Sequence, residues 1–179
     1  MQVRSILSRL SLPTLALSTL LAGCGTLGMQ GNPKAIARLE PTKGNTTAGV
    51  VTFEQQKGYV VVVAKITGLT PNQEHGFHVH EKGDCSSGDG MSAGGHFNPL
   101  GHPHGGAAGM GHAGDMPNLK ADSAGEARVS FQFIGATVGG GATDIIGRGL
   151  IVHAKPDDYR TQPTGDAGGR LACAVIRAD

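Results

Sequence analysis

Seven short runs rich in Val, Ile and Phe, at 35–39, 48–54, 59–66, 76–81, 127–133, 150–154 and 172–176, are each closed off by Gly, Pro, Asn or Asp. Runs of this length at close intervals read as strands. Ala127-Arg128-Val129-Ser130-Phe131-Gln132-Phe133 alternates apolar and polar residues, as a strand does when one face lies on a core and the other in water. No long helical period is present, and 30 glycines weigh against one. Each interior Gly costs a helix about 1 kcal/mol relative to Ala, whereas turns use its freedom at positive φ. The expected class is all-β, an antiparallel sandwich or flattened barrel.

Two stretches depart from the short-loop pattern. Residues 82–118 are rich in Gly and His with almost no aliphatic content, and residues 155–169 are polar. Long structureless stretches inside a compact domain are usually functional. On a strand, His78-Val79-His80 projects both imidazoles to one face, although a surface His-x-His is common and is weak evidence alone. His96, His102, His104 and His112 fall within 17 residues and are followed by Asp115. Their irregular, glycine-framed intervals suit a fixed tetrahedral zinc site of three histidines and one carboxylate better than a flexible metal scavenger. His153 lies on an apolar run, where a lone histidine is more often a hydrogen-bonded core residue than a ligand. It gains weight from the ordered set around it.

At the N-terminus, Arg4 and Arg9 flank the start of an apolar run from Leu10 to Ala22, the shape of an export signal. The run falls short of the roughly 20 apolar residues of a bilayer-spanning helix. Its end, Leu21-Ala22-Gly23-Cys24, resembles the lipobox of bacterial lipoproteins, where cleavage precedes the cysteine and lipid is attached to it. Residues 1–23 are then a signal peptide, 24–33 a tether lipidated at Cys24, and 34–179 one ordinary domain. Free secretion is the competing reading. Several acyl chains give a durable anchor, each buried methylene contributing about 0.8 kcal/mol. Gly25 resembles the outer-membrane pattern, so the expected location is the bacterial cell envelope, lipid-anchored and facing the periplasm at the outer membrane. With Cys24 lipidated, two of the three cysteines remain. An oxidising compartment favours pairing of Cys85 with Cys173; two free buried thiols are the alternative. A formal charge of +1, no basic block, five Phe, two Tyr and no Trp offer nothing to nucleic acid.

Residues 76–84, 93–100, 111–118, 146–153 and 165–176, the last reading Gly165-Asp166-Ala167-Gly168-Gly169-Arg170-Leu171-Ala172-Cys173-Ala174-Val175-Ile176, closely resemble the signatures of the copper/zinc superoxide dismutases. The resemblance extends from about residue 34 to the C-terminus. It implies an eight-stranded antiparallel Greek-key sandwich or flattened barrel. It also implies copper held by His78, His80, His96 and His153, and zinc held by His96, His104, His112 and Asp115, with His96 shared. The implied reaction converts superoxide to dioxygen and hydrogen peroxide, with copper cycling between Cu(II) and Cu(I) and zinc serving structure and tuning. His96 would act as ligand and acid. Arg170 would orient the anion at the channel mouth, and Asp157 would hydrogen-bond one copper and one zinc histidine. A Cys85–Cys173 bridge would tie the arginine's segment to the metal loop.

Sixteen residues separate His153 from Arg170 and ten separate Cys85 from His96. Both intervals are shorter than the resemblance leads one to expect, so the steering field cannot be carried over. A homodimer is possible, with its geometry open. His75, expected to be solvated or turn-capping, and His102 match no ligand position. The rival function is a non-catalytic envelope copper/zinc-binding protein. Loss of a copper ligand or of Arg170 would have signalled it, and all are present.

Overall fold

The computed structural model describes residues 31–106 and 111–179. The signal segment, Cys24 and most of the tether lie outside the described residues. Among the described residues, ten strands run in chain order: β1 Lys34–Pro41, β2 Ala48–Gln56, β3 Tyr59–Thr67, β4 Glu74–His75, β5 Phe77–His80, β6 Leu119–Lys120, β7 Ala127–Phe133, β8 Gly149–His153, β9 Arg170–Val175 and β10 Arg177–Ala178. A 3-10 turn occupies Met91–Ala93, and no α-helix occurs among the described residues.

An eight-stranded sheet follows the order β5-β8-β9-β1-β2-β3-β7, with β10 beside β1, and every pairing in it is antiparallel. The chain runs β1-β2-β3 as a meander, crosses to the far edge for β5, returns for β7 and crosses again for β8. Those two crossings make the Greek key. They also leave the two long connections on the side of the sheet that carries β5, β8 and β9.

Local chemistry explains the strands. β2 and β3 close through Lys57-Gly58, with Gly58 at φ 90, a left-handed position that favours glycine. Along β7 the alternation holds: Ala127 and Phe133 are buried, Val129 and Phe131 half-buried, and Arg128, Ser130 and Gln132 exposed. Phe53, Ile66, Phe77, Leu119, Phe133 and Leu150 are among the core side chains closed off from solvent.

β5 breaks the half-buried rule, since all of Phe77, His78, Val79 and His80 are buried. Phe77 and Val79 join the core, while the opposite face is covered by the connection that follows. Val79 N donates to Gly114 O, Phe97 N donates to Val79 O, and bridges join His78 to Asp115 and His80 to His96. The expected runs match β1, β2, β3, β5, β7, β8 and β9. The two-residue strands β4, β6 and β10 are too short to carry a period and were not foreseen.

Phe133 is 1% exposed, so Phe133→Ala is expected to destabilise the domain by about 3–5 kcal/mol. Ser130→Ala, on the opposite face, should stay within about 0.5 kcal/mol. Urea unfolding of the two variants measures the difference, and equal shifts would contradict this inside-outside assignment.

Candidate metal centre

Strand β5 contributes His78 and His80, and β8 contributes His153. A register shift between Val152 and His153 sets that last ring against the start of β9, the kind of irregularity that re-aims a side chain beside a site. The connection after β5 brings in His96, His104, His112 and Asp115. These seven residues form two buried groups, His78, His80, His96 and His153 in one and His96, His104, His112 and Asp115 in the other. Within each group the candidate ligand atoms all lie within 4.8 Å of one another, and His96 belongs to both.

Hydrogen bonds fix which nitrogen of each ring is free. His78 Nε2 donates to Asp157 Oδ2 (2.8 Å), His80 Nδ1 to Gly94 O (2.9 Å) and His153 Nδ1 to Gly168 O (3.2 Å). A nitrogen that donates to oxygen carries the proton, so the other nitrogen of each ring presents a lone pair. Those lone pairs converge. His80 Nε2 and His153 Nε2 lie 3.3 Å apart, and His78 Nδ1 and His96 Nε2 are buried without any hydrogen-bond partner.

The second group repeats the logic. His104 Nε2 donates to Asp157 Oδ1 (2.9 Å), leaving its Nδ1 3.0 Å from Asp115 Oδ2 without a hydrogen bond. His96 Nδ1 and His112 Nδ1 lie 2.8 and 3.3 Å from Asp115 Oδ1. Leaving buried polar atoms unpaired is costly. Convergent nitrogens fit a cation in the first group, and in the second a cation would take the place of the proton that His96 Nδ1 shares with Asp115 Oδ1.

Charge agrees with this fit. Burial pushes the His78 imidazole down to about 4, and burial with neighbouring rings holds His80 and His153 well below the ordinary histidine value. All three are therefore neutral, the form that ligates metals. Burial would raise the Asp115 and Asp157 carboxyls, but their histidine partners outweigh it and hold both well below the usual carboxylate range. Burial also opposes a charged His104, yet its two carboxylate neighbours raise it to about 9, so without a metal its Nδ1 carries a proton toward Asp115 that a bound cation would replace. Two buried carboxylates thus demand positive charge.

Asp157 joins the groups, since its two oxygens bond one histidine of each. Its own position is built from residues that sequence reasoning missed. Asn118 brackets the Asp157 backbone through Asp157 N to Asn118 Oδ1 and Asn118 Nδ2 to Asp157 O, and Asn118 N donates to Tyr159 OH. Gln162 brackets the His104 backbone in the same way. Gly165, at φ 66, passes so close to the Asp157 carboxylate that a Cβ would strike it.

Arg170 is half-buried at the start of β9. Its Nη1 and Nη2 donate to Gly90 O and Gly94 O at 2.6 Å, and no carboxylate pairs with it among the described residues. Gly94 O also accepts from His80 Nδ1, so one carbonyl holds a ligand of the first group and the arginine. Cys85 and Cys173 form a disulfide across 88 residues, worth about 4–5 kcal/mol on a loop-entropy account.

His75 corrects the expectation that it is solvated or caps a turn. It is fully buried in β4, paired with Leu119, and its Nδ1 donates to His153 O at 2.8 Å. The 155–169 connection covers this segment, with Gly76 N donating to Lys155 O. His102 is exposed and outside both groups; its Nδ1 donates to Gly111 O at 3.3 Å.

Comparison with known proteins agrees with this geometry. A family model described as copper/zinc superoxide dismutase matches residues 47–176. Copper/zinc superoxide dismutase 2 of Aquifex aeolicus is 41% identical over 149 residues, covering 80% of this chain and 86% of that protein. The copper/zinc superoxide dismutase of Paramecium bursaria Chlorella virus 1 is 41% identical over 170 residues, covering 90% and 87%. Among solved structures, the crystal structure of the clock protein EA4 is similar with a TM-score of 0.74 at 42% identity, covering 84% of this chain and 97% of its own. Since the family match runs through most of the folded domain and these relatives align along most of their own lengths, the chain belongs to the copper/zinc superoxide dismutase family.

Proposed function

We propose that the chain converts superoxide to dioxygen and hydrogen peroxide, with copper held by His78 Nδ1, His80 Nε2, His96 Nε2 and His153 Nε2. Zinc would be held by the Nδ1 atoms of His96, His104 and His112 together with the Asp115 carboxylate. The division follows donor chemistry, since four imidazoles suit copper in both oxidation states while a tetrahedral site with a carboxylate suits zinc. Copper, when bound, would supply the one-electron redox chemistry that the reaction needs.

The chain's own residues do the rest. Arg170, anchored through carbonyls alone, keeps its charge free of a bonded carboxylate and draws a small anion toward the His80 side of the first group. When His96 Nε2 is not engaged by copper it would take up a proton and give it to the product, and water would supply the second proton of hydrogen peroxide. Its Nδ1 stays beside Asp115 throughout. Asp157 keeps the His78 and His104 rings from turning by accepting from both Nε2 atoms. The observation that carries this reading is the convergence of four lone-pair nitrogens beside an arginine that shares the Gly94 carbonyl with His80.

The copper- and zinc-loaded domain is expected to remove superoxide, and His153→Ala to lose that activity. Arg170→Ala is expected to slow turnover about tenfold or more while metal content is unchanged, the scale of lost electrostatic guidance. A stopped-flow assay with metal analysis reads both variants. Equal inactivity of wild type and His153→Ala would sink the enzymatic reading.

For residues 1–33, we propose export, cleavage before Cys24 and lipid attachment there, placing the domain on a short tether at the bacterial outer membrane, facing the periplasm. The Leu21-Ala22-Gly23-Cys24 run and the apolar segment before it support this. Expressed in a Gram-negative host, the full chain is expected in the membrane fraction with incorporated labelled fatty acid. Cys24→Ser should lose the label and the membrane association. A wild-type chain free in the periplasmic extract would contradict the anchor.

A further inference from the structure

We propose that Ser87 and Ser92 form a clamp that positions Arg170, acting through the Gly90 and Gly94 carbonyls. This rests on the reading of Arg170 as the anion-guiding residue and names what holds it in place.

Because the Arg170 guanidinium is bonded to two carbonyls and to no carboxylate, the direction of those carbonyls decides where its charge sits. Both carbonyls flank the 3-10 turn Met91–Ala93. Gly90 and Gly94 take left-handed φ values of 77 and 75, and the turn's first N–H, Met91 N, donates to Asp89 Oδ1 at 2.9 Å. A 3-10 segment of three residues has little stability of its own. The nearest covalent restraint, Cys85 in the disulfide, lies five residues before Gly90 and cannot fix the turn directly.

The two serines bond reciprocally across the turn. Ser87 N donates to Ser92 Oγ at 3.2 Å, and Ser92 N donates to Ser87 Oγ at 3.0 Å. Ser92 Oγ then donates its proton to Asp84 O at 2.8 Å, beside Cys85. Residues 87–92 are thereby closed into a ring fastened to the disulfide-bearing segment. On its far side, Lys43 N donates to Gly88 O at 2.7 Å and Thr42 Oγ1 to Arg170 O at 2.6 Å. The Arg170 stem packs against Gly90, where an added Cβ would lie 3.3 Å from its Cβ and Cδ. The ring thus carries Gly90 O, which accepts from Arg170 Nη1, and ends two residues before Gly94 O, which accepts from Nη2, while Thr42, next to the Lys43 that bonds the ring, holds the Arg170 main chain; the serine pair closes the ring.

The test uses the copper- and zinc-loaded enzyme, with azide as a small anionic probe titrated by its copper(II) absorbance, alongside kcat/KM for superoxide. Ser92→Ala is expected to weaken azide binding and kcat/KM by roughly threefold or more, because small displacements of an orienting group are costly. Metal content should be unchanged, and Ser92→Thr, which keeps the hydroxyl, should restore both values. Combined with Arg170→Ala, Ser92→Ala should add nothing, as two changes acting through one group do. Effects that multiply, or a Ser92→Ala enzyme with normal azide affinity, would overturn the clamp. If Ser92→Ala loses metal, Ser87→Ala, which removes the acceptor of Ser92 N and a side-chain bond to Asp89, is held to the same outcomes. An Arg170→Ala enzyme with unaltered azide affinity would instead remove the guiding role, and the clamp's purpose with it.

Discussion

The Asp157 carboxylate accepts from His78 Nε2 with one oxygen and from His104 Nε2 with the other, and both bonds are buried. Everything at the centre depends on that division. Each bond fixes a proton on the outer nitrogen of a ring and so aims the inner lone pair at its own group. Because one carboxylate serves both rings, the group built on strands and the group built on the loop cannot drift apart. His96 is the second link, with one nitrogen in each group. The two links span the same pair of sites from opposite ends, which makes the arrangement hard to deform piecemeal.

The division of labour follows from what strands and loops do well. Strand β5 pairs with β8 along its whole length and both share the core, so His78, His80 and His153 come from hydrogen-bonded sheet. His104, His112 and Asp115 come from a connection with little apolar side chain to bury. It is held instead by backbone bonds to Val79, by Gln162 on the His104 backbone and by the carboxylates themselves. A site on such a loop gains order from a bound cation, and the loop in turn roofs the first group. The disulfide joins the start of the same connection to β9, the strand that carries Arg170.

Much of this was legible in the sequence because it has a period or a donor type. Alternation gave β7 its inside and outside, and His78-Val79-His80 announced two rings on one face. Asp115 closing a run of histidines distinguished a fixed site from a scavenging tract. What escaped acts through the backbone. Asn118, Gln162 and the Ser87–Ser92 pair bond main-chain groups of residues distant in space or across a turn, and such polar residues occur in any surface loop. His75 was misjudged for a related reason. Its neighbours Asn72, Gln73 and Glu74 are polar and read as exposed turn, while the covering segment around Lys155 lies 80 residues further on.

The claim at the centre is that two unequal metal sites share His96. Crystals of the copper- and zinc-loaded domain, measured for anomalous scattering at both absorption edges, test it most directly. This arrangement requires one copper peak facing His78 Nδ1, His80 Nε2, His153 Nε2 and His96 Nε2. It requires one zinc peak with His96, His104 and His112 nitrogens at about 2.0–2.1 Å and Asp115 completing a tetrahedron. A zinc peak that leaves out His96, or copper and zinc mixed equally over both positions, would contradict it.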